Sequence, residues 1–312
     1  MDEYFKNQMV RDLVWVISSP SVFNKLPTKP NLKFFDEGLF SSEYSSLQKF
    51  LMELDENPEQ LSNHIKFGNN KLLGKYYESL VEFWFKHSTR FDLISKGIQV
   101  ENGSETIGEF DFILKDKLNN EFVHLETAGK FYLSSNNSNN WSDFISPNPN
   151  DNLQKKMDKL LKNQIYLSKT EDGKQKLAAL GINKINSAVM MKGYLFYHLS
   201  NFIQNKIKEP TFSNENHAKG WWIRFKELDN LVNLDFDSWI VLKRQNWISK
   251  VLINDNKETF GLNTLSDYLN KYFSSNNYPL LIACLSEKDN YFMEISRGFI
   301  VSNRWPDLNY IH

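Results

Sequence analysis

Acids and a lysine fall in two consecutive runs, "GEFDFIL" (108–114) and "FVHLETAGKFYL" (122–133). In a strand, side chains alternate faces, so Glu109, Asp111 and Ile113 share one side of the first run, opposite Phe110, Phe112 and Leu114. In the second run His124, Glu126, Ala128 and Lys130 lie together, opposite Val123, Leu125, Thr127 and Phe131. If the two strands pair, the acids converge. Three chemistries suit such a face: ordinary solvent-facing acids of a half-exposed antiparallel sheet, a structural Glu126–Lys130 ion pair, or a hard-metal site. In the last, carboxylates offer oxygen ligands to Mg²⁺ and a lysine orients or activates the attacking water.

The elements that must position these groups are legible on either side. A helix is predicted from about Asn70 to His87, with Leu73, Tyr76, Tyr77, Leu80, Val81 and Trp84 as a broad apolar stripe and Glu78 just beside it. Strands follow at 90–100, 106–116 and 121–134, and Asn-Gly and Asn-Asn turns between them argue for an antiparallel meander. A polar Asn/Ser/Pro loop spans 135–152. The next helix, about 151–168 with Asn150 or Asp151 as its cap, carries Leu153, Met157, Leu160, Leu161 and Gln164 on one face. Lys155, Lys156, Lys159 and Lys162 put a basic stripe on that helix, suited either to a phosphate backbone or to plain solvation. A buried strand is expected at 187–199.

Residues 1–68 read as a helical N-terminal extension, 69–200 as the core, and 201–312 as a C-terminal α/β region packing on or beside it, with linker candidates at 54–70 and 200–218. Trp221, Trp222, Trp239 and Trp247 stand near Arg224, Lys243 and Arg244. Base stacking is one use for such rings; core packing is the favoured one.

Composition narrows the class. The 312 residues carry a formal charge of −1, with 41% hydrophobic and 24% charged residues, so the chain folds around a real core and has no global basic field. Any nucleic-acid contact must come from a local patch. One cysteine, Cys284, sits in an apolar run, which points to a reducing, cytoplasmic setting, and no segment reads as an export signal or membrane span. The six histidines show no zinc spacing. No P-loop, dinucleotide fingerprint or nucleophile-elbow motif is present.

A helix bearing Glu78, then "GEFDFIL", then "HLETAGK" and a helix bearing Gln164 resemble the PD-(D/E)XK, or restriction-endonuclease-like, superfamily. More closely, "LGKYYESLVEFW", "GEFDFIL", "HLETAGKFYL", "DNLQKKMDKLLKNQIYLS" and "KGYLFY" resemble a bacterial family of unknown function placed in that superfamily. The resemblance covers about residues 70–200. It implies a mixed α/β fold with an α-β-β-β-α-β core and a Mg²⁺- or Mn²⁺-dependent endo- or exonuclease acting on DNA more than RNA. Asp111, Glu126 and Glu78 would then be the metal-binding acids, with Lys130 and Gln164 completing the catalytic set. Lys155, Lys156, Lys159 and Lys162 would contact substrate.

One position departs from the superfamily pattern. Its lysine follows the glutamate by two residues, but here that place is Ala128 and the lysine is Lys130. At about 3.3 Å per residue the lysine Cα lies roughly 13 Å along the strand instead of roughly 7 Å. Lys155 and Lys156 are substitutes from the following helix. The alternative function is a nuclease-like scaffold or binding protein without catalysis.

Overall fold

The computed structural model describes residues 5–29, 31–65, 72–236, 238–254, 258–288 and 291–307. Asn7 starts the first helix, α1 (Gln8–Ser18), by accepting the backbone N–H groups of Met9 and Val10. Every residue of α1 from Val10 to Ile17 is buried, Arg11 and Asp12 included, and the helix packs against α2 (Glu37–Glu56) and α4 (Leu73–His87). A short strand β1 (Lys33–Phe34) precedes α2, and α3 (Glu59–His64) follows it. The buried polar pair on α1 is answered from far along the chain. Asp12 accepts Ser249 through both its backbone N–H and its hydroxyl, and also accepts Tyr76 Oη–H, while Arg11 donates to the Lys250 and Leu252 carbonyls.

The expected apolar stripe of α4 is realised from Tyr76 to Phe85, with Glu78 left at its rim. The expected start at Asn70 lies outside the described residues, as does the end of the 54–70 linker candidate. Ser88 ends the helix, and the chain enters a meander of β2 (Phe91–Asn102), β3 (Glu105–Asp116) and β4 (Glu121–Ser134). The short β5 (Phe144–Ile145) pairs back on β4, and α5 (Leu153–Lys162) carries the chain across the sheet. The cap of α5 is Asn152, one residue beyond the expected pair, because its side chain reaches the Lys155 N–H. The helix also stops earlier than expected. Asn163 leaves helical geometry, and a separate 3₁₀ segment, Gln164–Lys169, follows before α6 (Glu171–Ala178).

Next, β6 (Asn186–His198) pairs parallel with both β4 and β1, and its nearly unbroken buried run is the pattern of a strand covered on both faces. After α7 (Leu199–Ile203), β7 (Ala218–Arg224) adds in parallel to β6. The remaining strands are β8 (Ser238–Val241), β9 (Leu252–Ile253), β10 (Leu280–Lys288) and β11 (Tyr291–Val301), with α8 (Leu262–Phe273) before β10. The main path of the sheet is β2-β3-β4-β6-β7-β11-β10-β8, so a parallel centre is flanked by antiparallel strands on both sides. The strands of the last third thus continue the same mixed sheet.

The 200–218 segment is tied down. Its backbone accepts Asn137, Asn139 and Trp141 side chains from the polar 135–152 loop, and Asn214 reaches back to Ser21. Two polar loops order each other by satisfying each other's backbone groups. Trp221, Trp222 and Trp239 are essentially inaccessible and Trp247 nearly so, as the core-packing reading expects. Cys284 is buried as well, and burial pushes its thiol up, away from a reactive thiolate.

Candidate functional site

The antiparallel ladder between β3 and β4 runs from Asp116 opposite Glu121 to Phe112 opposite Leu125 and then ends. Asp111 stands at that fork. In place of a ladder carbonyl, its carboxylate accepts the Thr127 backbone N–H at 3.0 Å. On the far side, β2 passes Asp111 with Gly97 at φ 61°, a left-handed conformation that suits glycine, and pairing resumes with Ile98 opposite Phe110. The irregularity breaks the alternation expected of "GEFDFIL". Phe112 and Leu114 join the large core beneath α4, whereas Phe110 packs with Ile113 in a separate cluster and meets the His124 ring edge-on at 4.7 Å. Phe110 therefore lies on the acids' side, not with Phe112.

Glu126 is fully buried one strand over. One oxygen accepts from His124 Nε2 at 2.7 Å and the other from Gln164 Nε2 at 2.5 Å. His124 is buried too, and its Nδ1 has no hydrogen-bond partner among the described residues. Gln164 reaches Glu126 from the 3₁₀ segment after the Asn163 break, and not as a continuation of the α5 stripe. Its carbonyl oxygen in turn accepts from Lys156 Nζ at 3.2 Å, which gives a continuous Lys156–Gln164–Glu126 chain.

Burial, and then the charge of Glu126, push the Asp111 carboxyl up to about 7, against the help of the Thr127 N–H and of Lys156. Burial also lowers Lys156, while the two acids pull the other way. This lysine takes the place beside the acids that the sequence pattern gives to Lys130. Lys130 keeps to its expected face but turns to Asp151 at 2.8 Å, where Tyr132 Oη also donates. No Glu126–Lys130 ion pair forms. The remaining lysines of the stripe diverge from the site: Lys155 and Lys159 are exposed, and Lys162 pairs with Asp158 on the helix surface.

Glu78 stands at the rim, paired with Lys75 at 2.7 Å, yet near enough for its charge to raise Asp111. Among the described residues, no three His, Cys, Asp or Glu side chains gather closely enough to hold a metal. The structure therefore brings together Asp111, Glu126, Gln164 and Lys156, leaves Glu78 at a distance and assigns Lys130 elsewhere. Two supporting groups carry no signal in the sequence pattern. Thr127 Oγ1 bonds both Tyr77 Oη and the Met190 carbonyl, fixing β4 between α4 and β6. Gly129 makes room for the same tyrosine, since a Cβ there would sit 2.9 Å from its ring.

What fold and site define is a mixed α/β protein with a half-buried and a fully buried carboxylate paired at a strand fork. Residues 11–301 match the family described as Domain of unknown function (DUF1853), and the chain belongs to that family. No curated protein and no solved structure matches it. Among the described residues, no helix is long and apolar enough to cross a membrane.

Proposed function

We propose that this protein is a cytosolic, metal-dependent nuclease built on a PD-(D/E)XK core, hydrolysing phosphodiester bonds of DNA in preference to RNA. The carrying observation is the pair Asp111 and Glu126, one half-buried and one fully buried carboxylate, in which desolvation and then the charge of Glu126 raise Asp111 to about 7 with Lys156 beside them. The order α4-β2-β3-β4-β5-α5-α6-β6, which is an α-β-β-β-α-β succession with a two-residue strand and a short helix inserted, supports the reading, as does Gln164 on Glu126.

The donor set fits Mg²⁺ or Mn²⁺. Such ions take oxygen ligands and commonly use only one or two protein carboxylates, completing their shell with water and substrate phosphate. Asp111 and Glu126 would hold the ion, with Glu78 acting from the rim. When bound, it polarises the scissile phosphate and lowers the pKa of a water. The chain's own groups do the rest. Thr127 fixes one Asp111 oxygen, His124 and Gln164 fix the direction of Glu126, and Lys156 offsets negative charge developing on the phosphate. Lys130 holds Asp151, at the start of the segment that brings Lys156 in.

Purified protein incubated with supercoiled plasmid, linear duplex, single-stranded DNA and RNA, in Mg²⁺ or Mn²⁺, tests this. Metal-dependent cleavage lost in Asp111→Asn and Glu126→Gln is expected. Cleavage on no substrate, or cleavage that survives both substitutions, overturns it.

A second reading, a nuclease-like scaffold that binds without cutting, is favoured by the engagement of both Glu126 oxygens within the protein. It predicts nucleic-acid binding without hydrolysis, unchanged by Asp111→Asn.

A further inference from the structure

The 3₁₀ segment that delivers Gln164 to Glu126 also walls a cavity of about 430 Å³, through Ile165, Tyr166 and Lys169. Thr28, Lys29, Asn31, Leu32 and Lys33 also line it, together with Asn186 and Ser187 at the start of β6. The volume is that of a small-ligand site. Among the described residues its lining contains three lysines and no acid. Lys33 is committed to Glu121 outside the lining, but among the described residues neither Lys29 nor Lys169 has a carboxylate partner.

Both of these lysines converge on one aromatic ring. Lys29 Nζ donates to Tyr166 Oη at 2.9 Å, and Lys29 and Lys169 stand 5.2 and 5.0 Å from the ring centroid. The Lys29 hydrogen bond and charge, with the charge of Lys169, hold the exposed phenol below its usual range. Beside that charge lies the Asn31 amide, while the Asn186 amide and the Ser187 hydroxyl already donate to Glu121 and to the Ile165 carbonyl. The cavity also has a fixed relation to the acids. Ser187 donates to the Ile165 carbonyl and lies opposite His124 in the β4–β6 register, while Val189 lies opposite Glu126. Ser187 and the acid pair are thus separated by roughly 7 Å of strand.

From this geometry we infer that the cavity between Lys29, Tyr166 and Lys169 binds one phosphate-bearing nucleotide unit, next to the strand position of the acid pair. The inference rests on the nuclease reading for the cavity's relation to chemistry, but not for binding itself. The unit belongs either to a nucleic-acid strand or to a free mononucleotide, and the two sources are separable.

Binding of a fluorescein-labelled oligothymidylate is measured by anisotropy in EDTA, where no metal-dependent cutting occurs, with thymidine monophosphate as competitor. Lys29→Glu and Lys169→Glu each weaken binding about tenfold and reduce the salt slope by about one phosphate contact. Lys29→Gln and Lys169→Gln, which keep most of the stem, give smaller losses in the same direction. Lys226→Glu, an equal charge change at an exposed position on the 225–234 segment, stays within about twofold. Weak competition by the mononucleotide assigns the cavity to a strand, and competition as strong as that of unlabelled oligothymidylate assigns it to the free nucleotide; both support the site. Oligonucleotide binding that Lys29→Glu and Lys169→Glu affect no more than Lys226→Glu overturns it, as does no binding of either probe. Should cleavage fail in every metal while the two lysine variants still lose binding, the nuclease reading falls and the cavity's role stands. Cleavage with binding indifferent to the lysines leaves the reverse.

Discussion

Two of the acid clusters in the sheet are built on opposite principles. On β11, Glu294 and Arg297 are both nearly inaccessible. The guanidinium meets the carboxylate through two donors and spends the others on the Trp247 and Ser249 carbonyls, while the Val251 N–H completes Glu294. At the β3–β4 fork, two acids face each other and the nearest cation, Lys156, reaches them through Gln164. The first cluster is internally neutral and needs nothing more. The second retains a conflict that a cation would relieve, which is how a site spends folding stability on binding.

Breaking the matched cluster has the largest expected effect. Arg297→Met strands Glu294 in the interior and costs about 3–5 kcal/mol in urea unfolding, much of it regained in the Glu294→Met/Arg297→Met double variant. A loss below about 1 kcal/mol would erase the contrast between the clusters.

At the fork the expected effect is catalytic. Lys156→Met lowers the rate of metal-dependent cleavage about 100- to 1000-fold with little change in thermal stability, while Lys130→Met costs less than about tenfold. The opposite ranking, read from single-turnover rates, would return the lysine's role to Lys130.

Asp111→Asn removes the conflict while keeping an acceptor for Thr127. The Asp111 carboxyl is raised from 3.8 to about 7, so its favourable contribution is complete below about pH 4 and is lost as pH rises through about 7. In metal-free buffer the variant therefore gains on the parent across that window and is more stable by about 1–3 kcal/mol at pH 8, within the bound of roughly 1.4 kcal/mol per unit. Equal stability at pH 5 and pH 8 in paired denaturation curves would show the acids are not in conflict.

The smallest effect is at the rim. Lys75→Ala frees Glu78 from an exposed ion pair and shifts stability by no more than about 0.5 kcal/mol, but moves the Asp111 titration, followed by NMR, further upward.

The strands and the pairing of the acids were legible because period-two alternation and Asn turns are local signals. Their failure points are equally local in cause. Phe110 changes sides beyond Phe112, where the β3–β4 ladder ends and β2 carries a left-handed Gly97, backbone events that alternation alone does not register. Gln164 was found as a residue type, but its route was not, since the Asn163 break between α5 and the 3₁₀ segment leaves the apolar periodicity intact. Spacing could flag Lys130 as displaced, yet the choice of Lys156 over Lys155 depends on how α5 rotates against the sheet. The partnership of Lys130 with Asp151 spans a loop whose folding only three-dimensional packing reveals.

The buried polar pair on α1 has a consequence for how the protein is made. Asp12 and Ser249, which meet in the core, are 237 residues apart. At about 5–20 residues per second, a ribosome produces the helix on the order of tens of seconds before its partner segment exists. Throughout that interval α1 carries an apolar surface, and Arg11 and Asp12 have their near partners Phe5, Lys6 and Gln8 but not the Ser249, Lys250 and Leu252 groups that complete them. The buried end of α1 is consequently completed only after some 237 further residues have been made, so the first helix is among the last elements to find all its partners.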